Sequence, residues 1–221
     1  MTIEDAVFRK EDCFIPANLQ NNLFFWEHEV LVDHPHKNTI LNWVTRVKIE
    51  EFLNSFTSTT FQQQEVHSYY PQPREFENYV PPEFCSFMDE QVQEWVNLGV
   101  LRKWEDVRTK NDPLIPTVVS PLGIEPNKPR AIWDGRYVNE FCRDIPFHMD
   151  NASKVAEVAW PNAYFFKLDH KNGYLHIPLH RQSWKFFGIC WNNVYSVITV
   201  LPFGWKTSLL IYHTVTEALA M

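Results

Sequence analysis

Phe165-Phe166-Lys167-Leu168-Asp169-His170-Lys171-Asn172-Gly173-Tyr174 is the stretch on which the fold turns. Residues 163–168 form an apolar run short enough to be a buried strand, and the run delivers a carboxylate before the chain bends through Asn172 and Gly173. An Asp at the end of such a strand lies at a sheet edge, where carboxylate and backbone oxygens hold hard divalent cations. The same residue at the same place also serves as a strand-end turn former that accepts a local hydrogen bond. For Asp169 both readings stay open on composition and spacing.

Working upstream, Thr117-Val118-Val119-Ser120 and Ala131-Ile132-Trp133 are β-type runs that flank Glu125-Pro126-Asn127-Lys128-Pro129. Pro and Asn suit a turn there, which predicts a two-stranded finger. Lys128 and Arg130 fall at or just past its tip. Long cationic side chains in that place reach a triphosphate or a template backbone, or else they belong to a solvated turn. Arg136 follows Asp134 closely enough to pair with it. Asp150 or Asn151 is placed to cap a short helix over residues 150–158.

Downstream, residues 185–191 and 194–200 are strand-like and are separated by Asn192-Asn193, a pair that tolerates the positive φ of a tight hairpin. Leu201-Pro202-Phe203-Gly204-Trp205-Lys206-Thr207-Ser208 then leaves the strand through a Pro-x-Gly loop into a helix start. Glycine permits close backbone approach to a flat ligand, and a helix N-terminus with Lys206 beside it favours an anion; a plain structural corner has the same composition. Ile211, Val215 and Leu219 lie four apart, which predicts a helix over residues 208–221.

The first half has a different character. Residues 22–32 and 36–56 place apolar side chains at mostly helical intervals, with Asp33-His34-Pro35-His36 as a connector and Pro35 suited to begin the second helix. Residues 57–82 turn polar and follow neither period, as a linker or extended arm would. Phe84, Phe87, Met88, Val92, Trp95 and Val96 share one helical face, and Gly99 marks its end. The expected division is a helical N-terminal region with a linker over residues 1–80 and a second domain over residues 81–221.

At 221 residues with 45% hydrophobic content, the chain can fill a core and is globular. No apolar run reaches the length of a membrane span, and the opening twelve residues are acidic and broken, so a soluble, intracellular protein with no membrane partner is expected. A net charge of -7 argues against phosphate binding, but it is unevenly spread. Residues 1–112 carry 10 basic and 19 acidic side chains, whereas residues 113–221 carry 10 basic and 8 acidic. A nucleic-acid contact therefore belongs to the second half. Cys13, Cys85, Cys142 and Cys190 lie far apart without a CxxC pair, which suggests reduced, mostly buried thiols.

Taken in order, the hairpin, the Asp-bearing strand and the Pro-x-Gly loop resemble reverse transcriptases. The resemblance rests on a basic residue before R-x-x-x-D-x-R-x-x-N (130–139), on D-x-x-x-x-Y (169–174) and on LPFGW (201–205), and it covers roughly residues 113–220. The wording "SPLGIEPNKPRAIWDGRYVNEFCRDIPF" and "FFKLDHKNGYLHIPLHRQSWKFFGI" looks most like the enzymes of tyrosine-recombinase retrotransposons, the DIRS and Ngaro groups.

That resemblance implies an α+β fold, part of a right-hand polymerase comprising the fingers and the first part of the palm, preceded by the helical N-terminal region. It implies an RNA-directed DNA polymerase that uses Mg²⁺ or Mn²⁺ on an RNA or DNA template-primer and a dNTP. By motif position Asp169 matches the first metal-binding catalytic aspartate. Lys128 and Arg130 match the fingers residues that meet the triphosphate, Tyr174 the aromatic gate under the sugar, and Phe203 with Gly204 the loop near the incoming base. Leu209 stands where Pro is common, which bears on the angle at which the helix begins. The chain contains no Tyr-x-Asp-Asp and no Asp-Asp pair. A single aspartate cannot hold two cations, so the expectation is a fragment that ends before the rest of the palm and is inactive alone. The alternative is a nucleic-acid-binding or assembly module, with Trp133, Tyr137, Trp184 and Trp191 available for stacking.

Overall fold

The structure, a computed structural model, describes residues 19–60, 63–149, 160, 170 and 172–220. The helix expected over 150–158, the strand over 163–168 and Asp169 itself lie outside the described residues.

Helices are α1 (Leu23–Phe25), α2 (Lys37–Thr45), α3 (Cys85–Asn97), α4 (Trp104–Val107), α5 (Arg136–Glu140) and α6 (Ser208–Ala220). Strands are β1 (Ser55–Thr60), β2 (Gln63–Ser68), β3 (Arg74–Glu75), β4 (Leu101–Lys103), β5 (Val118–Val119), β6 (Leu122–Glu125), β7 (Arg130–Trp133), β8 (Gly188–Trp191) and β9 (Val194–Ile198). A five-stranded mixed sheet has the order β3-β5-β8-β9-β4, while β1-β2 and β6-β7 form separate antiparallel pairs. The described chain is thus mixed α and β, and none of its helices is long and apolar enough to cross a membrane.

The β8–β9 turn forms as the sequence anticipates, with Asn192 at φ 49° and Asn193 at φ 62°, the backbone of a two-residue hairpin whose twist matches its strands. Four other segments depart from expectation. The helical pattern of 36–56 breaks after Thr45, because Val47 pairs with the 178–180 segment: its amide donates to the Pro178 carbonyl at 2.9 Å, and the His180 amide donates to its carbonyl at 2.7 Å. An extended backbone that finds partners in a distant segment outcompetes a helix of modest propensity. Residues 57–82 are not a structureless linker, since β1 and β2 pair from Ser55↔Ser68 to Thr60↔Gln63 and β3 runs parallel to β5. The polar composition hid strands whose hydrogen bonds are supplied by pairing and not by an alternating apolar face.

The finger is also shifted. Residues 130–133 pair with Leu122–Glu125, from Leu122↔Trp133 to Glu125↔Arg130, and Val118–Val119 instead joins the five-stranded sheet. Strand β8 begins only at Gly188, because Arg181–Phe186 forms a 3-10 helix. Within the sheet β5 flanks β8 and β4 flanks β9.

One contiguous core joins both halves of the chain. Trp26, Ile40, Val44, Phe52 and Leu53 are buried in the same cluster as Val138, Phe187, Ile189, Leu201, Ile211 and Val215. Trp205 lies in its middle, 2% exposed, edge-on to Phe52 at 5.5 Å and to Phe187 at 5.3 Å. Burying such a ring, with its indole N–H donated to the Cys142 sulfur at 3.3 Å, contributes several kcal/mol. On α6 the buried apolar positions are Ile211, Val215 and Ala218, while Leu219 is 49% exposed, because 3.6 residues per turn carry it past the core-facing stripe. Among the described cysteines only Cys142 is buried; Cys85 and Cys190 are half-buried.

Candidate functional site

The LPFGW loop is fixed from outside itself by one side chain of α5. Asn139 donates from Nδ2 to the Gly204 carbonyl at 2.8 Å and accepts the Lys206 amide at Oδ1 at 2.9 Å. The two contacts also assign the amide orientation, since only its nitrogen can serve a carbonyl and only its oxygen a backbone N–H. Gly204 has φ +104°, and a Cβ there would lie 2.6 Å from the Trp133 carbonyl oxygen. Glycine is therefore required at 204 by the end of β7, which the loop touches. The Ser208 hydroxyl donates to the Pro202 carbonyl at 2.8 Å and closes the corner before α6.

Held this way, Phe203 is 56% exposed and turned toward the 170–176 segment. It meets Tyr174 edge-on at 4.6 Å, and Tyr174 meets Tyr212 of α6 edge-on at 4.9 Å. Asn172, at φ 56° and ψ 36°, turns the chain into the 3-10 helix Gly173–His176 that carries Tyr174. His170, Asn172, Gly173, Tyr174, Phe203 and Tyr212, with Thr216, line an open cavity of about 490 Å³. Burial pushes the Tyr174 phenol above its ordinary range, so it stays neutral.

Tyr174, Phe203 and the backbone bend at Gly204 are thus brought together. Lys128 and Arg130 are exposed, in and just after the β6–β7 turn, and are not part of the cavity lining. Arg136 forms a forked pair with Asp134, its Nε and Nη2 donating at 2.9 and 2.5 Å, and the guanidinium hydrogen bonds hold the Asp134 carboxyl below its usual range. Lys206, which could have favoured an anion at the start of α6, instead pairs with Asp144 at 2.8 Å.

The four rings considered for base stacking are engaged within the fold. Trp133 is 4% exposed. Tyr137 sits between Phe76 and Phe141 and donates to the Gln72 carbonyl, Trp184 donates to the Leu179 carbonyl, and Trp191 donates to Asp89. Burial removes Trp133 as a stacking surface, and the polar edges of the other three rings are held in intramolecular hydrogen bonds.

Among the described residues no group of three or more His, Cys, Asp or Glu is placed to hold a metal ion. The described part of the cavity lining offers imidazole, amide, phenol and hydroxyl groups, and Asp169, which precedes His170, lies outside the described residues. Two residues that sequence reasoning gave no role, Asn139 and Tyr212, shape this region. Asn139 was legible only as the last letter of the R-x-x-x-D-x-R-x-x-N pattern, and Tyr212 left no local signal because its partners lie about forty residues away.

No protein-family model and no curated protein matches the chain. Solved structures do match it. Native prototype foamy virus protease-reverse transcriptase aligns with a TM-score of 0.53 at 18% identity, over 69% of this chain and 19% of that one. The foamy viral protease-reverse transcriptase in complex with dsDNA gives 0.53 at 14% identity, over 91% of this chain and 41% of that one. The same protein in complex with an RNA/DNA hybrid gives 0.52 at 15%, over 91% and 27%. The chain therefore has a reverse-transcriptase-like fold and spans between about a fifth and two fifths of the chains it resembles.

Proposed function

We propose that this chain is the fingers and first part of the palm of an RNA-directed DNA polymerase from a retroelement of the DIRS and Ngaro kind, and that it does not extend a primer by itself. The observation that carries the proposal is the meeting of Tyr174 and Phe203 over one cavity, with His170, the residue that follows Asp169, on its rim. A ring wall there would sit under the sugar of a dNTP and collide with a 2′-hydroxyl, the one group that separates ribose from deoxyribose. In this reading Asp169 is the first catalytic carboxylate, Phe203 and Gly204 border the incoming base, and Lys128 and Arg130 reach toward the triphosphate from the finger. The division at residue 80 is then one of role, with the polymerase elements in 81–221, and the protein works inside the cell.

Catalysis of phosphoryl transfer needs several carboxylates to hold two divalent cations. The sequence contains no Asp-Asp pair, and in this reading Asp169 alone would not hold Mg²⁺ or Mn²⁺ stably. Primer extension on an RNA template with Mg²⁺ or Mn²⁺ tests the proposal. The expected result is no product from the purified chain. Template-directed incorporation that is lost in Asp169→Ala would show instead that the chain is an active polymerase.

A second reading, nucleic-acid binding without chemistry, rests on the exposure of Lys128 and Arg130 in the finger. Fluorescence anisotropy with primer-template and single-stranded oligonucleotides at two salt concentrations tests it, because phosphate contacts weaken as salt rises. Binding that falls with salt and is reduced by Lys128→Ala and Arg130→Ala favours this reading. Absent or salt-insensitive binding removes it.

A further inference from the structure

One phenol touches the segment between Asp169 and Tyr174 at three points. The Tyr212 hydroxyl is 2.7 Å from His170 Nδ1. Its ring lies directly on the Gly173 backbone, where a Cβ would come within 2.2 Å of the hydroxyl and 2.4 Å of Cζ. The same ring meets Tyr174 edge-on at 4.9 Å. The hydroxyl oxygen serves His170, the hydroxyl end of the ring needs a bare glycine beneath it, and the ring itself meets Tyr174.

Tyr212 is itself well anchored. It lies on α6 between Ile211 and Val215, both buried in the core, and its carbonyl accepts the Thr216 hydroxyl at 2.9 Å. The segment it touches is less self-sufficient. It is a single 3-10 turn entered through a left-handed Asn172, and isolated turns of that kind have little stability of their own. The stable element therefore imposes its position on the weak one.

We propose that Tyr212 is a positioning residue of the candidate nucleotide site. Its hydroxyl latches His170 and its ring seats Gly173, so the turn that carries the Tyr174 wall is held in place by α6. This deepens the polymerase proposal and rests on it for its consequence: a ring wall that cannot yield separates deoxyribonucleotides from ribonucleotides better than one that can.

Two measurements on the whole chain test the proposal separately from the reading it rests on. The first is amide hydrogen exchange at Leu175, which donates to the Asn172 carbonyl at 2.8 Å, and at Ile177, which donates to the Tyr174 carbonyl at 3.2 Å. Tyr212→Phe keeps the ring and removes the hydroxyl. It should speed both exchanges about 2- to 10-fold, the factor equivalent to one net hydrogen bond, and leave the Ile198 amide of β9 unchanged. His170→Ala should do the same, and the double variant should add little to either single one. Unchanged exchange in Tyr212→Phe, or effects that multiply in the double variant, would overturn the latch.

The second measurement is titration with Mg-dGTP and Mg-GTP by saturation-transfer NMR. Wild type should prefer the deoxyribonucleotide, and Tyr212→Phe should narrow that preference several-fold. Equal preference in the two proteins would overturn the positioning role even if exchange responds. If wild type binds neither nucleotide, the polymerase reading and the selectivity fall together, and hydrogen exchange still decides whether the latch exists.

Discussion

The Asn139 clamp gives the sharpest quantitative expectation. Asn139→Ala removes the donor to the Gly204 carbonyl and the acceptor for the Lys206 amide in one step, with no change in the core. Both contacts lie at partly exposed positions, so each is worth about 1 kcal/mol net, and the variant should lose about 2 kcal/mol. For a chain of this size that corresponds to a fall of roughly 1 M in the urea midpoint, with an unchanged slope because the buried surface is the same. Asn139→Asp is the more discriminating variant. It keeps an oxygen for the Lys206 amide but turns a second oxygen onto the Gly204 carbonyl, where the wild-type contact is 2.8 Å. It should therefore be at least as destabilising as alanine although nearly isosteric. The Lys206 amide should exchange faster in Asn139→Ala and stay protected in Asn139→Asp. A midpoint within about 0.2 M of wild type for Asn139→Ala would refute the clamp, because water would then be replacing both partners without loss.

Gly204→Ala forces an L-residue to φ +104° and sets its methyl against the Trp133 carbonyl; it should cost at least about 1–3 kcal/mol in urea unfolding, and a neutral result would mean that the loop has room to relax. Trp205→Ala leaves a cavity between Phe52 and Phe187 and should lower the thermal midpoint by about 10 °C or more; a drop under about 3 °C would show that the site collapses without loss. The hydrogen bonds from Arg136 hold the Asp134 carboxyl below its unfolded value, so its stabilisation is present above that value, near pH 4, and is lost as pH falls through the lower folded value. Asp134→Asn should accordingly weaken the fold at neutral pH and flatten the stability curve below about pH 4; an acid limb identical to that of wild type would rule out this contribution.

Much of the fold was legible because it is written in local chemistry. The Asn192-Asn193 turn, the end of α3 before Gly99 and the start of α6 after Pro-x-Gly each follow from what those residues do to their own backbone. The 117–120 run does not pair with β7 as its composition suggests, because it is taken by β8 and β3 and leaves β6 as the partner. The helix over 36–56 failed for a related reason, since Val47 bonds to a segment more than 130 residues away and no local window contains that information.

By itself the sequence determined the Asn192-Asn193 hairpin, the helix that follows Pro-x-Gly, the uneven charge and the resemblance that nominates Asp169, Tyr174 and Phe203. Only the tertiary structure decided that Tyr174 and Phe203 share a cavity, that Lys206 pairs with Asp144, and that Trp133 is buried. It also brought Asn139 and Tyr212 into view. Backbone preference is a property of a few neighbouring residues, whereas a side chain's availability depends on what the fold places within about 3 Å of it, and those neighbours come from anywhere in the chain.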